Sequence, residues 1–489
     1  TSLEDGVKLV GETAGKGEKK VIMTVEELNR ILGAELKGWP QYSWKDGKTL
    51  VIMRQGKMSE IDVDKKALGN TYIIPKGAQN ITSNGKDLVA YTKANNLYFV
   101  DANNNEFAVT GDGDPNIVNG QTVSRNEFGI NGGIFWSPDG KLLAFYRKDE
   151  SQVGTFPLLD INSRTGSLRE IKYPMAGMKS EQISLGIYDV ASGKTVFLDV
   201  DDFGREQYLT NIAWGPESDY VYVQVLNRAQ KHMRLNQYRA KTGEFVKTLL
   251  EEQNEKYIEP LTPVVFLKND PSKLIYRTNN RDGYFNLYLV DVHSGKVVKR
   301  ITDVAADVEM IGQDDKYIYY TSAEVSPVEN HLFRVDLKSG RKTRLTQAEG
   351  WHKVTMSSDM NYFVDNYSSL KVPRVINLVR NDGIAAFRAG SIDQLKITVA
   401  DVDNRKRIFQ RKKGFFVFIS QIVEIQAPDK GKSVVDLSFF AEQIIILCKK
   451  TVEKQGPAKE QNQKEVNEKD DLSTQFTHSS PQNDNRHHR

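Results

Sequence analysis

The 489-residue sequence has a single cysteine, Cys448, and few long apolar runs. No internal disulfide can form, so the fold must depend on burial and hydrogen bonding. The longest candidate for a membrane span, residues 434–448, is interrupted by Asp436 and Glu442. Because a spanning helix needs about 18 or more consecutive apolar residues, the sequence predicts no membrane span.

An excess of charge of one sign is also missing. Lysine and arginine total 67 against 64 aspartate and glutamate residues, a formal net charge of +3. Such a balance gives no reason to expect a nucleic-acid partner. The basic run Arg405–Lys413 could form a nucleic-acid patch, but in a chain so close to neutrality a solvated segment is the favoured interpretation.

Motifs for catalysis and cofactor binding are absent. A nucleophile elbow requires Gly-x-Ser-x-Gly between a strand and a helix, and the sequence contains no such pentapeptide. It has no HExxH, no paired Cys/His ligands, no phosphate-binding glycine loop and no calcium loop. The seven histidines fall in repeated strand units or in the polar tail, at positions 232, 293, 331, 352, 478, 487 and 488. We therefore predict no catalytic residue, metal or cofactor in this chain.

What the sequence does contain is a repeated strand unit, seen best in residues 135–200. It opens with FWSPDGKLLAFYR and closes with LGIYDVASGKTVFL. After the turn, Leu142, Ala144 and Tyr146 alternate with Leu143 and Phe145. Period-two alternation between Pro-Asp-Gly and Ser-Gly turns is typical of antiparallel strands.

Seven such units follow one another from Trp39 onward. Their second-turn glycines, Gly193, Gly243, Gly295 and Gly340, lie 50, 52 and 45 residues apart. Several strands per period of this length predict an all-β fold, a β-propeller of seven to eight four-stranded blades. An eighth blade could lie in residues 106–123 or be assembled from the two ends of the chain.

The segments outside the repeats predict four regions. Thr24 and Glu27 form a capping-box pattern before a short apolar face, which predicts one short helix. The polar segment before it predicts a mobile arm, and a polar insertion in the third unit predicts a binding excursion or a decorative loop. The regions are an arm and short helix (1–38), the propeller (39–383), an unassigned segment of weak structure (384–450) and a disordered polar tail (451–489).

An ordered series of motifs resembles a known family. The run VSRNEFGINGGIFWSPDGKLLAFYRKDES is followed by YPMAG, NRAQ, NRDGYFNLYL and SAEVSPVENHLFRVD. Together, over roughly residues 42–382, they resemble the N-terminal propeller of the dipeptidyl peptidase IV family, most of all bacterial prolyl tripeptidyl and dipeptidyl peptidases. The resemblance implies an eight-bladed propeller capping an α/β-hydrolase domain with a Ser/Asp/His triad, which removes short N-terminal peptides after proline.

The resemblance also implies a site for the amino terminus of the substrate. In the family a Glu-Glu pair precedes the WSP turn by about ten residues, and matching back from Trp136 places Asn126 and Glu127 there, with Arg125 beside them. Glu127 keeps one carboxylate, whereas Asn126 replaces the other with a neutral amide. This departure resembles the tripeptidyl branch. The alternative is that Glu127 merely pairs with Arg125 or caps a turn.

Two functions are consistent with these observations. The first is the non-catalytic, substrate-gating propeller of a prolyl-specific serine exopeptidase, which binds peptides with a free amino terminus and lacks its hydrolase domain. The second is a freestanding propeller used as a binding or scaffold module. Because the resemblance stops near residue 383, we expect the gene to be truncated, frameshifted or mis-joined there. The chain begins at Thr1 without an apolar leader, and we expect that either a signal segment was removed or the chain was trimmed. The resemblance implies a periplasmic or cell-surface location, and a homodimer is left open.

Overall fold

The computed structural model describes residues 2–12, 18–383 and 385–392, with side chains for 3–11 and 18–383, all within one compact unit. The predictions of weak structure for 384–450 and of disorder for 451–489 therefore lie outside the described residues, apart from one strand at 385–392. No described helix has the length and hydrophobicity needed to cross a membrane.

Eight antiparallel sheets, here called blades 1 to 8, follow one another along the chain. Blade 1 has three strands, β1 (Ser2–Glu4), β2 (Lys8–Glu12) and β3 (Lys19–Thr24), and is followed by the helix α1 (Val25–Leu32). Blade 2 comprises β4 (Tyr42–Trp44), β5 (Thr49–Arg54), β6 (Lys57–Asp62) and β7 (Ala67–Ile73). Blade 3 comprises β8 (Gln79–Ser83), β9 (Leu88–Lys93), β10 (Asn96–Asp101) and β11 (Glu106–Ala108).

Blade 4 is the largest and carries the insertion. Its first strands are β12 (Ile117–Asn119), β13 (Ile134–Trp136) and β14 (Leu142–Asp149). The insertion then forms a separate two-stranded hairpin, β15 (Thr155–Asp160) and β16 (Ser167–Lys172). The blade is completed by β17 (Gln182–Asp189) and β18 (Lys194–Phe197).

The remaining four blades have four strands each. Blade 5 comprises β19 (Tyr208–Trp214), β20 (Tyr220–Leu226), β21 (His232–Arg239) and β22 (Phe245–Gln253). Blade 6 comprises β23 (Val265–Leu267), β24 (Asp270–Thr278), β25 (Asn286–Asp291) and β26 (Val297–Arg300). Blade 7 comprises β27 (Val308–Gln313), β28 (Tyr317–Ser322), β29 (His331–Asp336) and β30 (Lys342–Arg344). Blade 8 comprises β31 (Trp351–Met356), β32 (Tyr362–Ser368), β33 (Arg374–Arg380) and β34 (Ala385–Ile392).

The core consists of apolar layers between consecutive blades. In β14, Ala144 and Tyr146 pack on blade 5, whereas Leu143 and Phe145 pack on blade 3. Tyr146 also donates a hydrogen bond across the layer, from its hydroxyl to Leu209 O at 2.8 Å. Similar layers join every other neighbouring pair from blade 1 to blade 8. Sheets packed face to face in series confirm the predicted β-propeller, with eight blades.

The N-terminal region differs from the predicted arm. Its strands β2 and β3 bury Leu9 and Met23, which pack with Leu28 of α1 against Leu50 and Ile61 of blade 2. Blade 1 is thus assembled from the N-terminal end of the chain. The other site considered for an eighth blade, residues 106–123, instead supplies β11 to blade 3 and β12 to blade 4.

The predicted capping box is present at the start of α1. The Glu27 amide donates to Thr24 Oγ1 at 3.3 Å, and the Thr24 amide donates to Glu27 Oε2 at 2.9 Å. The helix ends at Gly33, which has a φ of 59°. A glycine at this position closes a helix without the steric cost that a side chain would add.

Thr24→Ala should lower the free energy of unfolding by about 1 kcal/mol, because it removes the hydroxyl that caps α1. Thr24→Ser keeps the hydroxyl and should remain within a few tenths of a kcal/mol of the parent, roughly the scale of a tolerated cap exchange. Chemical denaturation of the three proteins compares them. Equal stability of the alanine and serine variants would show that the cap contributes nothing.

Candidate functional site

The candidate site lies at the end of the blades opposite to the glycine turns. In an antiparallel sheet, the turns after the first and third strands share one end, and the loop after the second strand lies at the other. The connection between β11 and β13 carries Glu127, and the insertion between β14 and β17 follows a second strand. Glu127 and the insertion therefore emerge at the same end of the propeller.

The residues before Glu127 form a short left-handed turn. Ser124, Arg125 and Asn126 have φ values of 50°, 55° and 64°, and Phe128 has a φ of 55°. Non-glycine residues in this region each cost about 1–3 kcal/mol, and such strain persists only where surrounding contacts enforce it. The Glu127 amide donates to Ser124 O at 3.0 Å and closes the turn.

Contacts on both sides hold this turn. The Ser124 amide donates to Glu181 Oε1 at 2.5 Å, which ties the turn to the end of the insertion. Val123 is buried in the layer between blades 4 and 5, and Phe128 is buried in the layer between blades 5 and 6. The turn is thus anchored by two buried side chains and by a carboxylate.

Arg125 binds the insertion hairpin. Its guanidinium donates to Lys172 O and lies 4.7 Å from the centre of the Tyr173 ring. No ion pair between Arg125 and Glu127 is present in the described part of the chain, where Arg125 contacts Lys172 O and the Tyr173 ring instead. The pairing considered as an alternative from the sequence is therefore not observed, and the Arg125 charge faces β16 and Tyr173.

Asn126 and Glu127 are exposed. The Asn126 amide oxygen accepts a hydrogen bond from Thr122 Oγ1 at 3.3 Å. The Glu127 side chain forms neither a hydrogen bond nor an ion pair with any described residue. The structure thus brings all three predicted site residues together on one turn and leaves the Glu127 carboxylate available to solvent.

Residues from blades 5 and 6 complete the surroundings of the turn. Asn211 Nδ2 donates to Phe128 O at 3.1 Å and also to Pro260 O. Next to Pro260, the half-buried Glu259 accepts a hydrogen bond through Oε2 from Asn279 Nδ2 at 3.4 Å. Sequence reasoning missed Glu181, Asn211 and Glu259, since no motif marks them. Tyr173 belongs to the YPMAG motif and could have been found.

The half-buried Arg277 interacts electrostatically with Glu259. Arg277 Nε donates to Val308 O at 2.5 Å, and its guanidinium lies 4.0 Å from the centre of the Phe285 ring. Burial lowers the pKa of Arg277, against the opposing effect of nearby carboxylates, of which Asp307 and Glu259 are two. Among the described residues, no group of three or more His, Cys, Asp or Glu side chains is placed to hold a metal ion.

The family pattern described as the dipeptidyl peptidase IV (DPP IV) N-terminal region matches residues 63–374, more than half of the chain. The chain belongs to this family. This result confirms the resemblance inferred from the motifs. The match includes the Arg125, Asn126 and Glu127 turn and the insertion hairpin, so the candidate site lies inside the family region.

Individual members of the DPP IV family agree with this assignment. A dipeptidyl-aminopeptidase B from Aspergillus niger is 27% identical over 330 residues, which cover 60% of this chain and 36% of that protein. A crystal structure from Bacteroides ovatus ATCC 8483, named for dipeptidyl aminopeptidase IV, superposes with a TM-score of 0.72 at 35% identity, covering 79% of this chain and 58% of that one. The Porphyromonas gingivalis dipeptidyl peptidase 4 gives a TM-score of 0.67 at 25% identity, covering 83% and 58%. The chain thus spans about a third to three fifths of the length of these relatives.

Proposed function

We propose that this propeller gates substrates for a prolyl-specific serine exopeptidase and binds the free amino terminus of a peptide through Glu127. The observation that supports the proposal is a carboxylate without a partner among the described residues, presented on a strained turn that several contacts hold in place. Strain of this kind is concentrated at functional sites. A solvated surface carboxylate would not need such a turn.

The chemistry of the ligand fits this arrangement. A peptide ammonium carries a positive charge and three donors, so a site that selects it needs charged acceptors. Asn126 adds a neutral amide beside Glu127, and Arg125 directs its own positive charge toward Lys172 O and the Tyr173 ring. A fixed carboxylate also limits how far a peptide can enter, and this limit would select release of di- or tripeptides.

The hydrolytic step is assigned to an α/β-hydrolase domain outside these 489 residues, because the sequence contains no Gly-x-Ser-x-Gly. On this proposal the chain alone binds peptides without cleaving them. A chromogenic X-Pro or X-X-Pro substrate should show no turnover. A location in the periplasm or at the cell surface belongs to the same proposal.

Glu127→Gln should weaken binding of an Ala-Pro-Ala peptide with a free amino terminus by about tenfold, since a hydrogen bond to a charged group is worth about 1.5–3 kcal/mol. Binding of the N-acetylated peptide should not change. Isothermal titration calorimetry with the full chain measures both affinities. Glu217→Gln, which removes the same charge from an exposed turn at the other end of the blades, is the matched control. Equal affinities of the parent and Glu127→Gln for the free-amine peptide would refute the assignment.

A freestanding binding or scaffold module is the second candidate, and the insertion hairpin favours it. Leu159 and Leu168 face each other across β15 and β16 and are 63% and 69% exposed, and the adjoining Ile161 is 80% exposed. An exposed apolar patch of this kind is often an interaction surface. Peptide binding that does not depend on a free amine would support this second function.

A further inference from the structure

Three Asn-Gly pairs occur in the sequence, at residues 84–85, 119–120 and 131–132. Asparagine is chemically labile in this context, because the amide nitrogen of a following glycine can attack the side-chain carbonyl carbon without hindrance from a Cβ. The attack requires an asparagine side chain and a glycine amide that are both free to move. The contacts that hold these two groups therefore decide whether a pair reacts.

Hydrogen bonds protect the first pair. Asn84 Oδ1 accepts from the backbone amides of residues 86–88 at 2.9, 3.0 and 3.0 Å, and Asn84 Nδ2 donates to Gly140 O at 3.3 Å. The Gly85 amide donates to Ser83 Oγ at 3.1 Å. Both reacting groups are thus held in other contacts.

Burial protects the second pair. Asn119 is fully buried, and its Nδ2 donates to Asn95 O at 3.3 Å and to Asp112 Oδ2 at 3.0 Å. The Gly120 amide donates to Tyr146 O of β14 at 2.8 Å. The side chain has no room to rotate and the amide is already used as a donor, so this pair cannot react without local opening of the fold.

The third pair lacks such contacts. Asn131 is exposed, and its side chain forms no hydrogen bond with any described residue. The Gly132 amide likewise donates to no acceptor in the described part of the chain. A Cβ on Gly132 would meet no atom within 4 Å. Both reacting groups are therefore unrestrained, and the space around them is open.

This third pair belongs to the loop that presents Glu127. Residues 121–133 form a closed loop, because a Cβ on Gly133 would lie only 2.2 Å from Gln121 O. Ile130, directly before the pair, is buried. A change in backbone length at residue 131 cannot be taken up where the ends of the loop meet, so it alters the segment that carries Glu127.

We propose that Asn131 deamidates in the folded protein and that its isoaspartyl product weakens the Glu127 site. The Gly132 nitrogen forms a bond to Asn131 Cγ, the side-chain nitrogen leaves as ammonia, and a succinimide ring results. Water then opens the ring at either carbonyl and gives aspartate or isoaspartate, each with an added negative charge. Isoaspartate also lengthens the main chain by a carbon atom. The effect on Glu127 rests on the proposed function, whereas the modification does not.

Incubation of the full chain at mildly alkaline pH, with and without urea, tests the modification. Digestion at acidic pH, where deamidation is slow, and tandem mass spectrometry then locate each gain of about 1 Da. All three pairs should react at similar rates in urea. In the folded protein Asn84 and Asn119 should react about tenfold more slowly or less, since they need local opening, whereas Asn131 should keep nearly its urea rate.

Isoaspartyl methyltransferase provides a second readout, because it labels isoaspartate and not aspartate. The incubated parent should be labelled, and Asn131→Gln, whose longer side chain cannot close the same ring, should not. Protection of Asn131 as strong as that of Asn119 would overturn the proposal. Equal rates for all three pairs in the folded protein would also overturn it, since the contacts described above would then have no effect.

Calorimetry with the free-amine Ala-Pro-Ala peptide before and after incubation tests the effect on Glu127. The parent should lose up to about tenfold in affinity, the loss expected when the Glu127 carboxylate no longer contacts the ammonium group. Asn131→Gln, incubated in the same way, should keep its affinity. Asn131→Asp adds the charge without lengthening the main chain and should not weaken binding.

The outcomes separate this inference from the proposed function. If isoaspartate forms at residue 131 without weaker binding, while Glu127→Gln still weakens binding in the fresh chain, the effect on the site is refuted and the proposed function stands. If Glu127→Gln has no effect in the fresh chain, the proposed function and the effect on the site both fail, and mass spectrometry alone decides the modification.

Discussion

Replacing Gly295 by alanine is expected to lower the free energy of unfolding by about 3 kcal/mol or more, and Gly243→Ala should have a similar effect. Both glycines lie in turns between the third and fourth strands and have positive φ values of 69° and 77°. A side chain in this conformation costs about 1–2 kcal/mol by itself.

The larger part of the effect comes from the preceding blade. A Cβ on Gly295 would lie 2.1 Å from Leu249 O, and one on Gly243 would lie 2.2 Å from Phe197 O. These oxygens belong to strand backbones, which cannot move aside as a flexible side chain can. Lys247 also links blades 5 and 6, the pair that meets at Gly295, because its Nζ donates to the carbonyl oxygens of Val292 and His293 at 2.7 and 2.6 Å.

Gly340 and Gly193 provide matched controls. Their φ values of 73° and 68° are similar, but the nearest atoms to an added Cβ are the flexible ends of Lys299 and Tyr188, at 3.8 and 3.7 Å. Alanine at either position should cost only the backbone strain, about 1–2 kcal/mol. Urea unfolding of the four variants measures the difference. If all four variants lost the same free energy of unfolding, the blades would have to separate easily enough to admit a methyl group.

The sequence predicts the strands and turns of the propeller because their signals are local. Alternation in residues 142–146 assigns each side chain to one of two neighbouring blades, and the structure confirms both sets. The turn glycines are also recognisable from the local sequence. Their contact with the preceding blade cannot be read from the sequence, since Leu249 O and Gly295 are 46 residues apart in the chain. The sequence left the position of the eighth blade open for a related reason: the few apolar residues of blade 1, such as Leu9, become significant only when they pack on blade 2.

In the candidate site, too, the sequence locates some residues but not the distant groups that hold them in place. The family resemblance locates Glu127 by matching back from Trp136, and Asn126 and Arg125 precede it directly in the chain. The groups that hold this turn come from far along the chain: Glu181 binds a residue 57 positions away, and Asn211 binds one 83 positions away. The left-handed backbone of the turn is also invisible in the sequence, because none of its three residues is glycine.

A buried histidine pair joins blades 7 and 8. His331 is fully buried, with Nε2 at 2.9 Å from Glu329 Oε2 and Nδ1 at 3.1 Å from Thr346 Oγ1. Thr346 Oγ1 accepts a hydrogen bond from the Leu332 amide, so its own proton is free to be donated to Nδ1 of a neutral His331 ring. A neutral His331 ring therefore has a hydrogen-bond partner at each nitrogen.

The second histidine makes protonation of the first still less favourable. The His352 ring lies 5.0 Å from that of His331, and its two nitrogens contact Asp365 Oδ1 and Ala348 O at 2.8 Å each. Burial lowers the pKa of His331; the Glu329 carboxylate opposes this shift, whereas His352 and Arg344 add to it. The folded protein therefore binds this proton more weakly than the unfolded chain does.

Acidification below about pH 6.5, the usual pKa of an unfolded histidine, is therefore expected to destabilise the propeller through His331. The loss should reach up to about 1.4 kcal/mol per pH unit until the folded pKa is passed, and no loss from this group is expected above pH 7. His331→Gln removes the titration, so its stability should depend less on pH between 7 and 5 than that of the parent, even if it starts lower. Urea midpoints at several pH values measure the slopes, and His293→Gln, at an exposed turn, should keep the parental slope. Parallel curves for the parent and His331→Gln would show that the buried ring takes up its proton as readily in the fold as in water.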